Sequence, residues 1–106
     1  MPYPTAYTYT IYQDGGAVKS RNNKTGAVTS KANLDPLITA ILASGDPSFE
    51  VQSGIYDLHS SFAGWSVASH MNAHIHTNTR LNVPAGYTGT VWNFNPAQNW
   101  SYIMRI

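Results

Sequence analysis

The sequence of 106 residues contains no cysteine. Disulfide bonds and thiolate metal sites are therefore excluded, so stability must come from apolar burial and hydrogen bonding. The absence of cysteine does not define a cellular compartment, because reduced and oxidising environments both hold cysteine-free proteins.

Charged side chains are also scarce, at 10 % of residues, against about 25 % in an ordinary soluble protein. The net charge of +1 excludes a strong overall field for nucleic acid or an anionic membrane. One basic stretch, formed by Lys19, Arg21, Lys24 and Lys31, has no acid within it. We interpret this stretch as a solvated hairpin, so no nucleic-acid partner is predicted.

Long apolar runs are missing as well. No segment approaches the roughly 18 to 20 residues of a transmembrane helix, and the start MPYPTAYTYT lacks the basic and apolar regions of a signal peptide. If the protein is exported, we expect its signal to have been removed. Two sequons, at Asn23 and Asn99, would permit glycosylation in a secreted context.

What the sequence does contain favours β-structure. Hydrophobic residues make up 42 % and aromatic residues 12 %, which is unlike a disordered chain. The polar residues are mainly Thr, Ser, Asn and Tyr, and both Thr and Tyr pack well on a pleated surface. The chain length corresponds to one small domain, predicted to span 1–106.

Residues 1–32 predict an antiparallel hairpin region. The segment Tyr3–Tyr12 alternates β-branched and aromatic residues on two faces. Asp14-Gly15-Gly16 supplies a tight turn, and short extended segments follow at Ala17–Arg21 and Ala27–Ser30.

Residues 33–46 predict the one helix. Asp35 is expected as the N-cap, with Pro36 in the first helical position and Gly45 just beyond the end. The helix carries one apolar stripe, formed by Leu37, Ile38, Ile41 and Leu42. A helix of about ten residues is too short to be stable alone, so the stripe must pack on another apolar surface.

Residues 47–106 predict a series of short strands separated by turn residues. A loose repeat of roughly 23 to 30 residues relates Phe49–Gln52, Asn72–Thr77 and Tyr102–Ile106, which is close to the coil length of a parallel β-helix. The other strands are predicted at Ile55–His59, Trp65–Ala68, Thr79–Val83 and Gly89–Phe94.

The order of these features resembles the N-terminus of pectate-lyase-like right-handed parallel β-helix proteins. The segment Phe49–Leu58, with the sequence FEVQSGIYDL, is similar to their first coil, and Thr79–Trp92 is similar to their second. The resemblance implies a mainly β fold: the start of a right-handed β-solenoid, with an N-terminal hairpin, one capping helix and two to three coils. It also implies a location outside the cell or on its surface.

The last predicted strand suggests a structural role. An uncovered coil presents unpaired backbone groups that can pair with another chain. We therefore expect an assembly module that forms a homo-oligomer or filament, or continues into further coils. The expected assembly edge comprises Trp100, Tyr102, Ile103, Met104 and Ile106. The alternative is the N-terminal part of a carbohydrate-binding or polysaccharide-degrading β-helix protein.

Three histidines form the cluster with the most ligand-like spacing. His74 and His76 fall on one strand face, and His70 could approach across a turn, so the three are candidate ligands for Zn²⁺ or Cu²⁺. The glutamate that a cupin motif would add is absent. The competing interpretation is an exposed strand face with Ala73 and Ile75 inward, and the sequence predicts no metal or other cofactor.

Catalytic residues are not predicted either. Hydrolysis of a glycosidic bond usually needs two carboxyls about 5 to 9.5 Å apart, and the chain has five acids. Three are assigned to the helix cap or to turns: Asp14, Asp35 and Asp46. Glu50 and Asp57 remain, while Arg80 and Arg105 have no acidic sequence neighbours for lyase chemistry. The chain is therefore predicted not to be an enzyme.

The three tryptophans are candidate sugar contacts, because aromatic faces suit the apolar surfaces of sugar rings. They are Trp65, Trp92 and Trp100. The competing interpretation places them in the core or at sheet edges.

Overall fold

The computed structural model describes residues 7–44, 47–67, 71–94 and 102–105, which form ten strands and one helix. The elements in chain order are β1 (Tyr9–Asp14), β2 (Ala17–Asn22), β3 (Val28–Lys31), α1 (Asp35–Ala43), β4 (Ser48–Val51), β5 (Gly54–Asp57), β6 (Trp65–Val67), β7 (Met71–Ile75), β8 (Thr79–Asn82), β9 (Trp92–Phe94) and β10 (Tyr102–Arg105).

The main sheet has six strands in the order β10-β7-β4-β1-β2-β3. The strands β1, β2 and β3 pair antiparallel, whereas β1, β4, β7 and β10 pair parallel. Two smaller parallel sheets pair β5 with β8 and β6 with β9. The strand β1 therefore joins an antiparallel half of the main sheet to a parallel half.

The turn between β1 and β2 forms where the sequence predicts it. Asp14 pairs with Ala17 across the turn, and Gly15 and Gly16 have φ values of 61° and 86°. Two successive positive φ values are what a two-residue hairpin loop requires, and glycine adopts them without a steric penalty. The turn therefore places β2 against one edge of β1 and leaves the other edge for β4.

The helix α1 begins at Asp35, one residue before the predicted first position, Pro36. Leu34 is the N-cap, without a side-chain cap hydrogen bond, so the assignment of Asp35 as N-cap is wrong. The Asp35 carboxylate instead accepts a hydrogen bond from the His59 backbone N–H at 2.9 Å. This bond ties the start of the helix to the chain after β5. The predicted terminator, Gly45, lies outside the described residues.

The core lies between the main sheet, the helix and the two smaller sheets. Ile11, Val51 and Ile75 are aligned across β1, β4 and β7, and all three are buried. Complete burial of such a side chain contributes roughly 1.5 to 3 kcal/mol. The helix adds the predicted stripe residues Leu37, Ile38 and Ile41, which are also buried.

The predicted fold class, a right-handed parallel β-helix, is wrong. The described residues form a mainly β unit, 40 × 36 × 23 Å in extent, around a mixed sheet. The hairpin expected ahead of the capping helix and the coils is itself the antiparallel half of that sheet. The sequence predicts the antiparallel hairpin of β1 and β2, but it does not show that β1 also pairs in parallel with β4, which joins the hairpin and the parallel strands in one mixed sheet.

Candidate functional site

A polar row crosses the main sheet on the face opposite the core. Thr10, Glu50 and His74 are in register across β1, β4 and β7, and Arg21 of β2 is in register with Thr10. Because successive side chains of a strand point to opposite faces, these residues share one face while their sequence neighbours enter the core. The row brings together residues that are far apart in the sequence.

Glu50 is the centre of this row. Its Oε2 accepts a hydrogen bond from Thr10 Oγ1 at 2.9 Å, and its Oε1 lies 2.7 Å from His76 Nε2. Gln52 Nε2 donates to the same Oε1 at 3.4 Å. Glu50 is only 8 % exposed, and a carboxylate at that depth needs such donors to offset the loss of water.

The hydrogen-bonded chain continues on the other side of Thr10. Asn23 Nδ2 donates to Thr10 Oγ1 at 2.8 Å and to the Tyr7 carbonyl at 3.0 Å. Arg21 Nε donates to Asn23 Oδ1 at 2.9 Å. Direct contacts therefore link Arg21 to Glu50 through two neutral side chains, and Asn23 is itself 2 % exposed.

Aromatic rings border the carboxylate. The rings of His74 and His76 stack at a centroid distance of 4.3 Å with planes 21° apart, and the Tyr7 ring lies 5.9 Å from that of His74. The side chain of His76 is 31 % exposed, and His74 is half-buried. These exposures leave both imidazoles accessible from solvent.

The structure places two of the three predicted histidines together. His74 and His76 share the outer face, and the alternating residues Ala73 and Ile75 are buried, while His70 lies outside the described residues. In the described ranges, no three side chains of His, Cys, Asp or Glu are grouped closely enough to hold a metal ion. Sequence reasoning missed the contact between Glu50 and His76, which are 26 residues apart. The one available signal was a single acid inside the apolar stretch Phe49–Val51.

Glu50 and Asp57, the two acids that remained as a candidate carboxyl pair, lie in different sheets. Glu50 belongs to the main sheet, whereas Asp57 ends β5 in a smaller sheet. Asp57 Oδ1 accepts a hydrogen bond from Asn82 Nδ2 at 2.9 Å. Each carboxylate therefore has its own partners.

Of the predicted sugar-contacting tryptophans, the structure describes two, of which Trp65 is buried and Trp92 is half-buried. Trp65 is 2 % exposed, and its ring lies 4.6 Å from Trp92 and 4.8 Å from Phe62. Trp92 is half-buried against the same core, and Trp100 lies outside the described residues. Trp65 thus presents no ring face to solvent.

The predicted assembly edge corresponds to β10. This strand pairs with β7 in the register Tyr102 to Met71 through Arg105 to His74, and it occupies one edge of the main sheet. Tyr102, Ile103 and Met104 belong to it, while Trp100 and Ile106 lie outside the described residues.

Comparison of the chain with protein-family models, curated proteins and solved structures finds no match in any of the three. The resemblance to pectate-lyase-like proteins is not tested by these comparisons and stays a prediction. Over the described ranges, the chain holds no helix with the length and apolar character needed to cross a bilayer.

Proposed function

We propose that this chain is a structural module that assembles with a second copy through strand β10. The observation that carries the proposal is the position of β10 at the edge of the six-stranded sheet. Within the described ranges, β10 pairs with β7 on one side and with no strand on the other. An edge strand of this kind offers a row of backbone donors and acceptors to another chain.

The two edges of the main sheet differ in composition. The opposite edge, β3, has the sequence VTSK and all four of its residues are exposed. Both of these short edge strands end in a basic residue, Lys31 in β3 and Arg105 in β10, so this protective charge does not distinguish them. They differ at the middle positions, which are Thr29 and Ser30 in β3 but Ile103 and Met104 in β10. The strand β10 has the sequence YIMR, in which Tyr102 and Ile103 are residues that favour strands. These compositions favour β10 as the edge that pairs.

A single pairing edge for each chain favours a closed dimer. Two copies related by a two-fold axis would pair β10 with β10 in antiparallel fashion, which uses the same surface twice. A ladder of four residues is short, so we expect dimer formation to depend on concentration. The location outside the cell remains part of the proposal, and it rests on the family resemblance alone.

The test is the mass in solution by light scattering, over a hundredfold range of protein concentration. We expect a shift from monomer to dimer in the unaltered chain. Ile103→Lys should give a monomer at every concentration, because a charge at the edge opposes pairing. Ile103 is in register with Asn72, which is in register with Ser48.

Thr29→Lys is the matched control, since it adds the same charge to the exposed edge β3. This variant should dimerise like the unaltered chain, and all three proteins should unfold at similar temperatures. A monomer at every concentration in the unaltered chain would contradict the proposal. So would a dimer that Ile103→Lys leaves unchanged.

A further inference from the structure

We propose that His74 and His76 together bind one divalent transition-metal ion, with Cu²⁺ bound more tightly than Ni²⁺ or Zn²⁺. The inference is independent of the proposed assembly through β10. It rests on three observations: the stacking of the two imidazoles, the hydrogen bond between His76 and Glu50, and the exposure of both rings.

The stacking brings two nitrogen ligands to one place. The His74 and His76 rings are 4.3 Å apart between centroids and are inclined by only 21°. Histidine nitrogens bind Zn²⁺ at about 2.0 to 2.1 Å, so two nitrogens that share one ion lie at most about 4.2 Å apart. The distance of 4.3 Å between the two ring centroids is comparable with this limit. Residues two apart on a strand share a face, which holds the two rings on the same side.

The hydrogen bond to Glu50 prepares His76 as a ligand. A carboxylate accepts hydrogen bonds only, so the 2.7 Å contact requires a proton on Nε2 of His76. In the neutral ring, Nδ1 then carries the free lone pair. A histidine ligand commonly donates its other N–H to a carboxylate, which fixes the ring and raises its basicity.

Glu50 is itself held in place from the opposite side. Its Oε2 accepts the hydrogen bond from Thr10, and Thr10 in turn accepts one from Asn23. Both Thr10 and Asn23 are almost completely buried. The carboxylate that orients His76 is therefore held by buried hydrogen-bond partners on and beside the interior strand β1.

The site would offer two protein ligands, with solvent in the remaining positions. The described ranges hold no group of three His, Cys, Asp or Glu side chains that could bind a metal ion. With two imidazoles and water as ligands, affinity should follow the general order in which Cu²⁺ exceeds Ni²⁺ and Zn²⁺. The 31 % exposure of the His76 side chain gives the ion access from solvent.

The experiment is a titration of the full chain with CuCl2, and separately with NiCl2, by calorimetry near neutral pH in a buffer that does not bind metals. Electron paramagnetic resonance of the Cu²⁺ form counts the coordinated nitrogens. We expect one ion per chain and coordination by two imidazole nitrogens.

Three variants and one matched control assign the site. His74→Ala and His76→Ala should each weaken Cu²⁺ binding at least tenfold. Glu50→Gln should weaken it by about 10- to 100-fold, because loss of such a partner has that effect on a metal site. His59→Ala is the control and should bind as the unaltered chain does, since His59 bonds Ser61 in another part of the molecule.

Unaltered affinity in both His74→Ala and His76→Ala would overturn the proposal. A copper spectrum without imidazole nitrogen would do the same. Thermal unfolding without metal checks that each variant is folded. The two alanine variants remove partly exposed rings, so the assignment does not depend on whether Glu50→Gln folds.

Discussion

His76 Nε2 lies 2.7 Å from Glu50 Oε1, so an imidazole and a carboxylate from neighbouring parts of one sheet face form a direct pair. Their side chains are 31 % and 11 % exposed. The histidine therefore lies between solvent and a carboxylate that has lost most of its own water. Because Thr10 bonds the other carboxylate oxygen, this pair connects an accessible ring to the buried part of the molecule.

The buried position of Glu50 predicts a large loss of stability when its carboxylate is removed. Glu50→Ala should lower the free energy of unfolding by about 2 to 4 kcal/mol, because the buried Thr10 hydroxyl and two further donors lose their acceptor. Urea denaturation measures this change. The comparison variant is Asp14→Ala, which removes a carboxylate that is 61 % exposed and paired with Lys19. It should change stability by less than about 1 kcal/mol, and equal losses in the two variants would contradict the assigned role of Glu50.

The burial of Asn23 predicts that its glycosylation sequon is not used in the folded protein. Its side-chain nitrogen, the atom that a glycan would modify, donates hydrogen bonds to Thr10 and to the Tyr7 carbonyl. The residue is only 2 % exposed, so a bulky glycan cannot coexist with the folded network. Folded protein secreted from a glycosylating host should therefore carry no glycan at Asn23, as peptide mass mapping would show. Thr25→Ala removes the sequon and should leave the mass map at Asn23 unchanged, whereas a glycan in folded material would contradict this placement.

The burial of Tyr56 predicts that the protein loses stability at high pH. The residue is completely buried, its hydroxyl donates to the Gln52 carbonyl at 2.8 Å, and burial raises the pKa of the phenol from 10.0 to about 12. Because of the raised pKa, the contribution of Tyr56 to the free energy of unfolding is fully present below pH 10 and is lost as the pH rises toward 12. The loss amounts to roughly 1.4 kcal/mol per pH unit over that window.

Tyr56→Phe provides the reference for this titration. The variant should be less stable near neutral pH by about 1 kcal/mol, since it lacks the hydrogen bond. The difference in unfolding free energy between the two proteins should then shrink or change sign between about pH 10 and pH 12. Urea denaturation at several pH values measures it, and two curves that stay parallel would contradict the assignment.

Local structure could be predicted from the sequence because it depends on near neighbours. The paired glycines gave the hairpin turn at Asp14–Ala17, and Pro36 with the apolar stripe gave the helix that ends at Ala43. Most strand bounds agree to within one or two residues. For example, the strand predicted at Asn72–Thr77 is observed at Met71–Ile75. The alternation of Ala73 and Ile75 with the histidines also placed His74 and His76 on the outer face.

Long-range pairing could not be predicted in the same way. Nothing near Thr10 indicates that Glu50 will lie beside it, because the two residues meet only when β1 and β4 pair across 40 residues. The assignment of Asp35 as N-cap failed for a related reason, because the Asp35 carboxylate accepts a hydrogen bond from the His59 backbone N–H. The partners of Glu50 and Asp35 both depend on tertiary contacts, whereas the turn depends on local backbone propensity.

The two neighbours of β1 also imply an order of folding. The hairpin with β2 closes a loop of two residues, which costs little chain entropy, whereas pairing with β4 must close a segment that includes the whole of α1. Hairpins form within microseconds, and distant pairings are slower. We therefore expect Thr10 to meet Arg21 before it meets Glu50 during folding, so the carboxylate keeps its water until β1 and β4 have paired.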